Sequence, residues 1–255
     1  MSGFSMFLNV ILRIRWLQYR GSFVVYNVLR LLGRLYKVVF IFSRDVIVPT
    51  LWGAVFRLPK TRSYAGESRY LTLMLGLVEP QWRDYFDKNI VNSQIFIDIG
   101  AAGDAYYTIK ACKSNPRIRV IAVEPLVQEY RYMLLNISQN KCDQNVLPVN
   151  MALCREEGLI DISNQKIRCT TLDTLVAKLS LKKVDMLKID VEGAGGEIIE
   201  GGIKTIASHE PIIFFEVHNN SERIAVKRLE KAGYKAIKKY GEMYILLPKK
   251  VHKNL

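Results

Sequence analysis

Four apolar runs, IFIDI (95–99), VIAVE (120–124), VDMLKID (184–190) and PIIFFEV (211–217), recur along the chain with stretches of helical composition between them. Strands that alternate with helices build a parallel sheet covered on both faces. The expected fold is therefore an α/β doubly wound domain. Two more β-type runs in YKAIKKYGEMYILLPK, with KKYGEM as the turn, close the chain as an antiparallel hairpin. A nicotinamide-binding fold does not usually finish that way.

In open α/β sheets ligands sit beyond the carboxyl ends of the strands. The first run ends in Asp98-Ile99-Gly100, followed by Ala101, Ala102, Gly103 and Asp104; the second ends in Glu124-Pro125. The later two end in Asp190-Val191-Glu192-Gly193 and Glu216-Val217-His218. All four ends carry acids. Gly100 and Gly103 remove side chains where the backbone must turn sharply and approach a ligand. Glu124 is placed to accept both hydroxyls of a ribose, with Pro125 fixing the backbone behind it. A dinucleotide fingerprint needs glycine where Ala102 stands, and Asp104 at the helix start repels phosphate, so NAD and FAD are disfavoured. A cationic cofactor without a pyrophosphate meets neither obstacle.

The ordered set IFIDIGAAGDAYYTIKA, VIAVEP, TTLDTLV, VDMLKIDVEGAGGEIIEGG and PIIFFEVH resembles the FkbM family of S-adenosylmethionine-dependent methyltransferases over about residues 75–218. The resemblance implies a class I methyltransferase sheet, Rossmann-like, mostly parallel with an antiparallel last strand, and S-adenosylmethionine as cofactor. Members of the family are mostly O-methyltransferases of sugar, glycan or polyketide hydroxyls. Carried over by position, Asp98, Gly100, Ala101 and Gly103 form the cofactor turn, Glu124 and Pro125 hold the ribose, and Asp173 of TTLDTL joins them. Asp190, Glu192 and Gly193 match the signature after the fourth strand, and Glu216 and His218 match the fifth. Two departures stand out. GAAGDAYY lacks the asparagine of the family's first loop, and Gly195 replaces a second acid. The second change is expected to loosen the start of the following helix.

Methyl transfer needs an aligned acceptor and a base for its proton. Asp190, Glu192 and His218 are the catalytic candidates, and His218 titrates nearest neutral pH. No metal site is assigned, although a magnesium ion bridging Asp190, Glu192 and the acceptor would suit oxygen ligands.

The net charge of +13 is unevenly spread: residues 1–60 carry nine Lys or Arg against Asp45 alone. Within that segment Arg13, Arg20, Asn27 and Arg34, with Arg30, Lys37 and Arg44, trace a narrow basic stripe on an apolar helix. Such an arm suits an anionic membrane surface, the catalytic domain itself or a second subunit, and the residues leave these open. Nucleic acid is disfavoured, since the N/D-P-P-Y/F motif of amine-methylating enzymes is absent after the fourth strand. The expected organisation is a basic helical arm (1–60), a linker and lead-in helix (61–94) and a cofactor-binding domain (95–255). The expected acceptor is a small molecule, lipid-linked molecule or glycan. Cys112, Cys142, Cys154 and Cys169 form no CxxC pair, so reduced thiols and a cytoplasmic location, peripheral at the membrane, are expected. A catalytically silent, membrane-associated binding protein on the same fold is the alternative.

Overall fold

A computed structural model describes residues 45–59, 68–240 and 242–252. The chain divides into two compact units, Met1–Asp84 and Tyr85–Leu255.

In the first unit, β1 (Asp45–Pro49) and β2 (Val55–Pro59) form an antiparallel hairpin where a helical arm was expected. Val46, Val48, Phe56 and Leu58 are buried on one face at the two-residue period of a strand. Thr50 closes the loop: its Oγ1 donates to the Ala54 carbonyl and accepts from the Ala54 N–H, both at 2.9 Å. Prolines at 49 and 59 forbid a continuous helix here. Helix α1 (Ser68–Leu75) follows, and its Met74 carbonyl accepts the Leu51 N–H. The basic stripe at Arg13 to Lys37 and its Arg44 lie outside the described residues.

The second unit takes in the last turns of α2 (Pro80–Ile90), starting ten residues before the expected boundary. After α2 come β3 (Ile95–Ile99), α3 (Tyr106–Ser114), β4 (Arg119–Val123), α4 (Val127–Gln139) and β5 (Val146–Val149). The next segment holds β6 (Ala152–Leu153), β7 (Gly158–Ile162), β8 (Gln165–Thr170) and α5 (Leu172–Lys178). The chain then runs through β9 (Met186–Ile189), α6 (Gly195–Gly201), α7 (Ile203–His209), β10 (Ile212–Glu216) and α8 (Asn220–Lys231). It ends with β11 (Lys235–Tyr240), β12 (Met243–Leu247) and α9 (Lys249–His252). Seven strands form one sheet in the order β11-β12-β10-β9-β3-β4-β5, with β12 antiparallel to both of its neighbours and the other pairs parallel. The order reverses between β3 and β9. A crevice opens at such a switch point, beyond the carboxyl ends of those strands.

The period of two separates the faces. Ile97, Ile99, Leu187, Ile189, Ile213 and Phe215 join Leu172, Ile198, Ile206 and Leu229 in one apolar core. On the other face Phe86 of α2 meets Phe96, Tyr107 and Phe214 edge-on, with ring centroids 4.9–5.7 Å apart. Such pairs add about 0.5–1.5 kcal/mol each beyond burial.

Between β5 and α5 the chain carries a separate three-stranded sheet of order β6-β8-β7. The cysteines overturn a second expectation: they pair as Cys112–Cys142 and Cys154–Cys169, and among the described residues none is free. The latter bond, across a separation of 15 residues, staples β8 to the end of β6. Replacing both Cys154 and Cys169 by Ser is expected to lower unfolding stability by about 3 kcal/mol. Urea titration checks this, and reduced parent protein, which loses Cys112–Cys142 as well, should show a larger loss.

Candidate functional site

The turn after β3 is held from below and from the side. Gly100 and Ala101 both donate their N–H to the Val123 carbonyl, at 3.0 and 3.1 Å. Gly100 has φ +79°, and a methyl added to it would overlap the Asp190 carbonyl oxygen. Ala102 donates its N–H to Glu124 Oε2 (3.1 Å) and Gly103 donates to Glu129 Oε2 (3.0 Å), while Asn136 Nδ2 donates to the Gly103 carbonyl (2.8 Å). Ala102 and Ala105 sit in the left-handed region, at φ 56° and 50°. That conformation costs an L-residue about 1–2 kcal/mol. Asp104 turns back onto the Tyr106 N–H at 3.1 Å. Gly100→Ala combines an unfavourable φ with a backbone clash, so a loss of about 2–4 kcal/mol is expected. Thermal unfolding of the variant beside the parent measures it.

Glu124 is buried at the end of β4, and its other oxygen accepts the Leu126 N–H at 2.9 Å. Asn150 Nδ2 spans the Glu124 and Pro125 carbonyls, fixing the dipeptide. Asp173 does not join this group. Its carboxylate accepts the N–H groups of Lys204 (3.2 Å) and Thr205 (2.7 Å), so it anchors the first turn of α7.

Across the switch point, register brings charge together on the face that bears Phe96. Asp98 pairs with Lys188, and Lys188 with Phe214. One pleat further on, Asp190 faces Glu216, with His218 following in the same file. Asp98 is 1% exposed. Its Oδ2 accepts from Thr108 Oγ1 at 2.7 Å, whereas Oδ1 is buried without a hydrogen-bond partner. Burial pushes the Asp98 carboxyl up, against the opposing pull of the Lys188 ammonium and the Thr108 hydroxyl. An orphaned buried oxygen of this kind carries a cost until a donor reaches it.

Lys188 is 4% exposed. It donates to Asp190 Oδ2 at 2.9 Å and lies over the Tyr107 ring, 5.3 Å from its centroid. Burial works to raise the Asp190 pKa, but the ammonium and the His218 ring override it and hold that carboxyl well below the usual range. His218 Nε2 stands 3.7 Å from Asp190 Oδ1. The contact with Asp190 raises the imidazole pKa over a smaller opposing effect of burial, and Glu216 adds to the rise. Glu192 is exposed and outside this cluster; Glu216 occupies the place expected for it.

Glu222, fully buried, holds the floor of the site. Its Oε1 accepts the Gly195 N–H (2.9 Å), and its Oε2 accepts those of His218 (2.6 Å) and Asn219 (3.1 Å). Asn219 returns a bond to the Glu222 N–H, completing a capping box on α8. Gly195 is buried against the Phe215 ring and Glu222, where a side chain would collide with both. The expected loosening at Gly195 is thus replaced by close packing. Sequence reading also missed Lys188 and Glu222. A lysine inside an otherwise apolar strand, in phase with Asp190, was the available signal for the first; N-N-S-E, with Asn219 three residues before Glu222, was the signal for the second.

The sequence model of the methyltransferase FkbM domain matches residues 98–250, more than half of the chain. The chain belongs to this family. S-adenosylmethionine is accordingly its cofactor. No curated protein matches the sequence significantly. Among solved structures, an FkbM methyltransferase from Methylobacillus flagellatus KT is 14% identical with a TM-score of 0.48, over 73% of this chain and 55% of that one. The chain thus spans about half the length of that relative. The methyltransferase domain of METTL16 is 15% identical with a TM-score of 0.51, over 80% of this chain and 86% of that one, and shares the fold.

Proposed function

We propose that this FkbM-family chain is an S-adenosylmethionine-dependent O-methyltransferase acting on a hydroxyl of a sugar, glycan, lipid-linked or other small-molecule acceptor. The observation that carries the reading is the Asp190–His218 pair at 3.7 Å, set at the switch point one pleat beyond the buried, unpartnered Asp98 oxygen. The residues fit the cofactor. Asp98 Oδ1 would take its amino group, Gly100 to Gly103 would line its methionine end, and Glu124 and Pro125 would flank its ribose. When bound, the cofactor supplies a methyl group on a cationic sulfur.

The protein's own task is to aim the acceptor and to take its proton. As the acceptor oxygen bonds to the methyl carbon, the carbon–sulfur pair returns to sulfur and the hydroxyl proton leaves. The acceptor hydroxyl gives its proton to neutral His218, and the Asp190 carboxylate beside the ring stabilises the imidazolium that forms. Glu192, exposed at the rim, contacts the outer part of the acceptor. The basic sequence ahead of the β1–β2 hairpin serves as a docking element for an anionic surface or a second subunit. Two disulfides favour an oxidising compartment over the cytoplasm.

Calorimetry with S-adenosylmethionine tests the reading, with one-to-one binding expected. No heat at millimolar cofactor would favour the catalytically silent scaffold, whose motive is the altered turn at Ala101 to Asp104.

A further inference from the structure

We propose that Asp190, Glu216 and His218 form a binding site for one divalent cation of the manganese or magnesium class. The three come from the ends of two adjacent parallel strands, and each offers a ligand atom within 4.8 Å of the other two. The set mixes two carboxylates with one imidazole, so it is more than a patch of acids. Its spacing also has meaning. At 3.7 Å, His218 Nε2 and Asp190 Oδ1 are too far apart for a hydrogen bond. Neighbouring ligand atoms on an octahedral ion, each about 2.2 Å from it, lie about 3.1 Å apart. The observed 3.7 Å comes within a small side-chain rotation of that spacing.

Groups outside the set orient two of its members, as metal ligands generally require. Lys188 Nζ holds Asp190 Oδ2 at 2.9 Å, which leaves Oδ1 turned toward His218. Buried Glu222 fixes the main chain of His218 at 2.6 Å. Two carboxylates make the set oxygen-rich, as manganese and magnesium prefer, while the imidazole makes zinc and copper its competitors.

Binding of the ion does not depend on methyl transfer, but its role rests on the proposed function: with the ion bound, His218 would be a ligand and no longer the base, and the cation would instead lower the pKa of the acceptor hydroxyl so that water can take its proton. The test uses the full chain and Mn2+ as probe, read by loss of the free-ion electron paramagnetic resonance signal. One Mn2+ per chain is expected, with affinity weakened on the order of 100-fold in Glu216→Gln and in His218→Gln. Calorimetry with S-adenosylmethionine on the same samples reports the cofactor crevice separately. A parent chain that leaves the signal unchanged, or variants that bind Mn2+ like the parent, would overturn the site. If Glu216→Gln does not fold, His218→Gln at the more exposed rim decides alone. Absence of cofactor binding alongside bound Mn2+ would retire the methyltransferase reading and leave the metal site standing.

Discussion

Asp190→Asn is expected to reduce methyl transfer by at least about 100-fold while S-adenosylmethionine still binds. Asparagine keeps the shape and can still meet Lys188, but it carries no charge to align the acceptor or to support His218. The pH dependence separates these effects. In the parent, Asp190 raises the His218 pKa above its ordinary value, so the ring stays protonated further up the scale. A base must be neutral, so the parent rate should climb with pH through a limb above about 6.5. In Asp190→Asn the residual rate should show that limb at lower pH, because the largest cause of the raised pKa is gone. Stopped assays with labelled cofactor and a chelator of divalent cations across pH 5–9 measure both. Full activity in the variant would remove Asp190 from the mechanism.

The second large effect is on stability. Lys188→Met leaves two carboxylates, one fully buried, without their shared ammonium. Removing one partner of a buried pair costs about 3–5 kcal/mol, and the lower end applies because the Asp190 side chain keeps 25% exposure. The loss should depend on pH in a definite sense. Asp190, whose folded pKa is depressed, contributes stability above its unfolded value near 3.9 that is lost as pH falls. Asp98, whose folded pKa is raised, costs stability as pH rises past the same value, and more so without Lys188. Both effects make the variant weakest relative to the parent at neutral pH. The difference should begin to shrink only below about pH 4 and close further as the depressed Asp190 carboxyl of the parent takes up its proton. Denaturant titrations at pH 7 and at about pH 2 compare the two. An equal deficit at both would mean that Lys188 acts through its packing on Tyr107 instead.

What the chain discloses before folding depends on the range of the interaction. The runs at 95–99, 120–124, 184–190 and 211–217 are legible because burial on both faces demands consecutive apolar residues. Their acidic ends are legible because the chain order alone places them at one sheet edge. The strands β7 and β8 were not, since GLIDI and QKIRCT are largely exposed and read as polar loop. Spacing cannot announce which cysteines meet. Asp173 sits in a motif that suggests the cofactor, yet what it touches, the first turn of α7, lies 31 residues away in sequence. Gly195 reads as freedom in one dimension and as confinement in three, because Phe215 arrives from another strand. Lys188 was hidden by its type: a lysine in a strand suggests an edge or a surface, and only the neighbouring carboxylates make its burial tolerable.

The turn from Gly100 to Ala105 has a consequence for how a ligand is received. The amides of Gly100 to Gly103 and the Gly103 carbonyl are committed to Val123, Glu124, Glu129 and Asn136, and two of its alanines hold a left-handed backbone. The disorder that a flexible glycine loop would surrender on binding has been surrendered during folding instead. Recognition at this end is lock-like, with the entropy of ordering charged to the stability of the domain and not to the affinity for the cofactor.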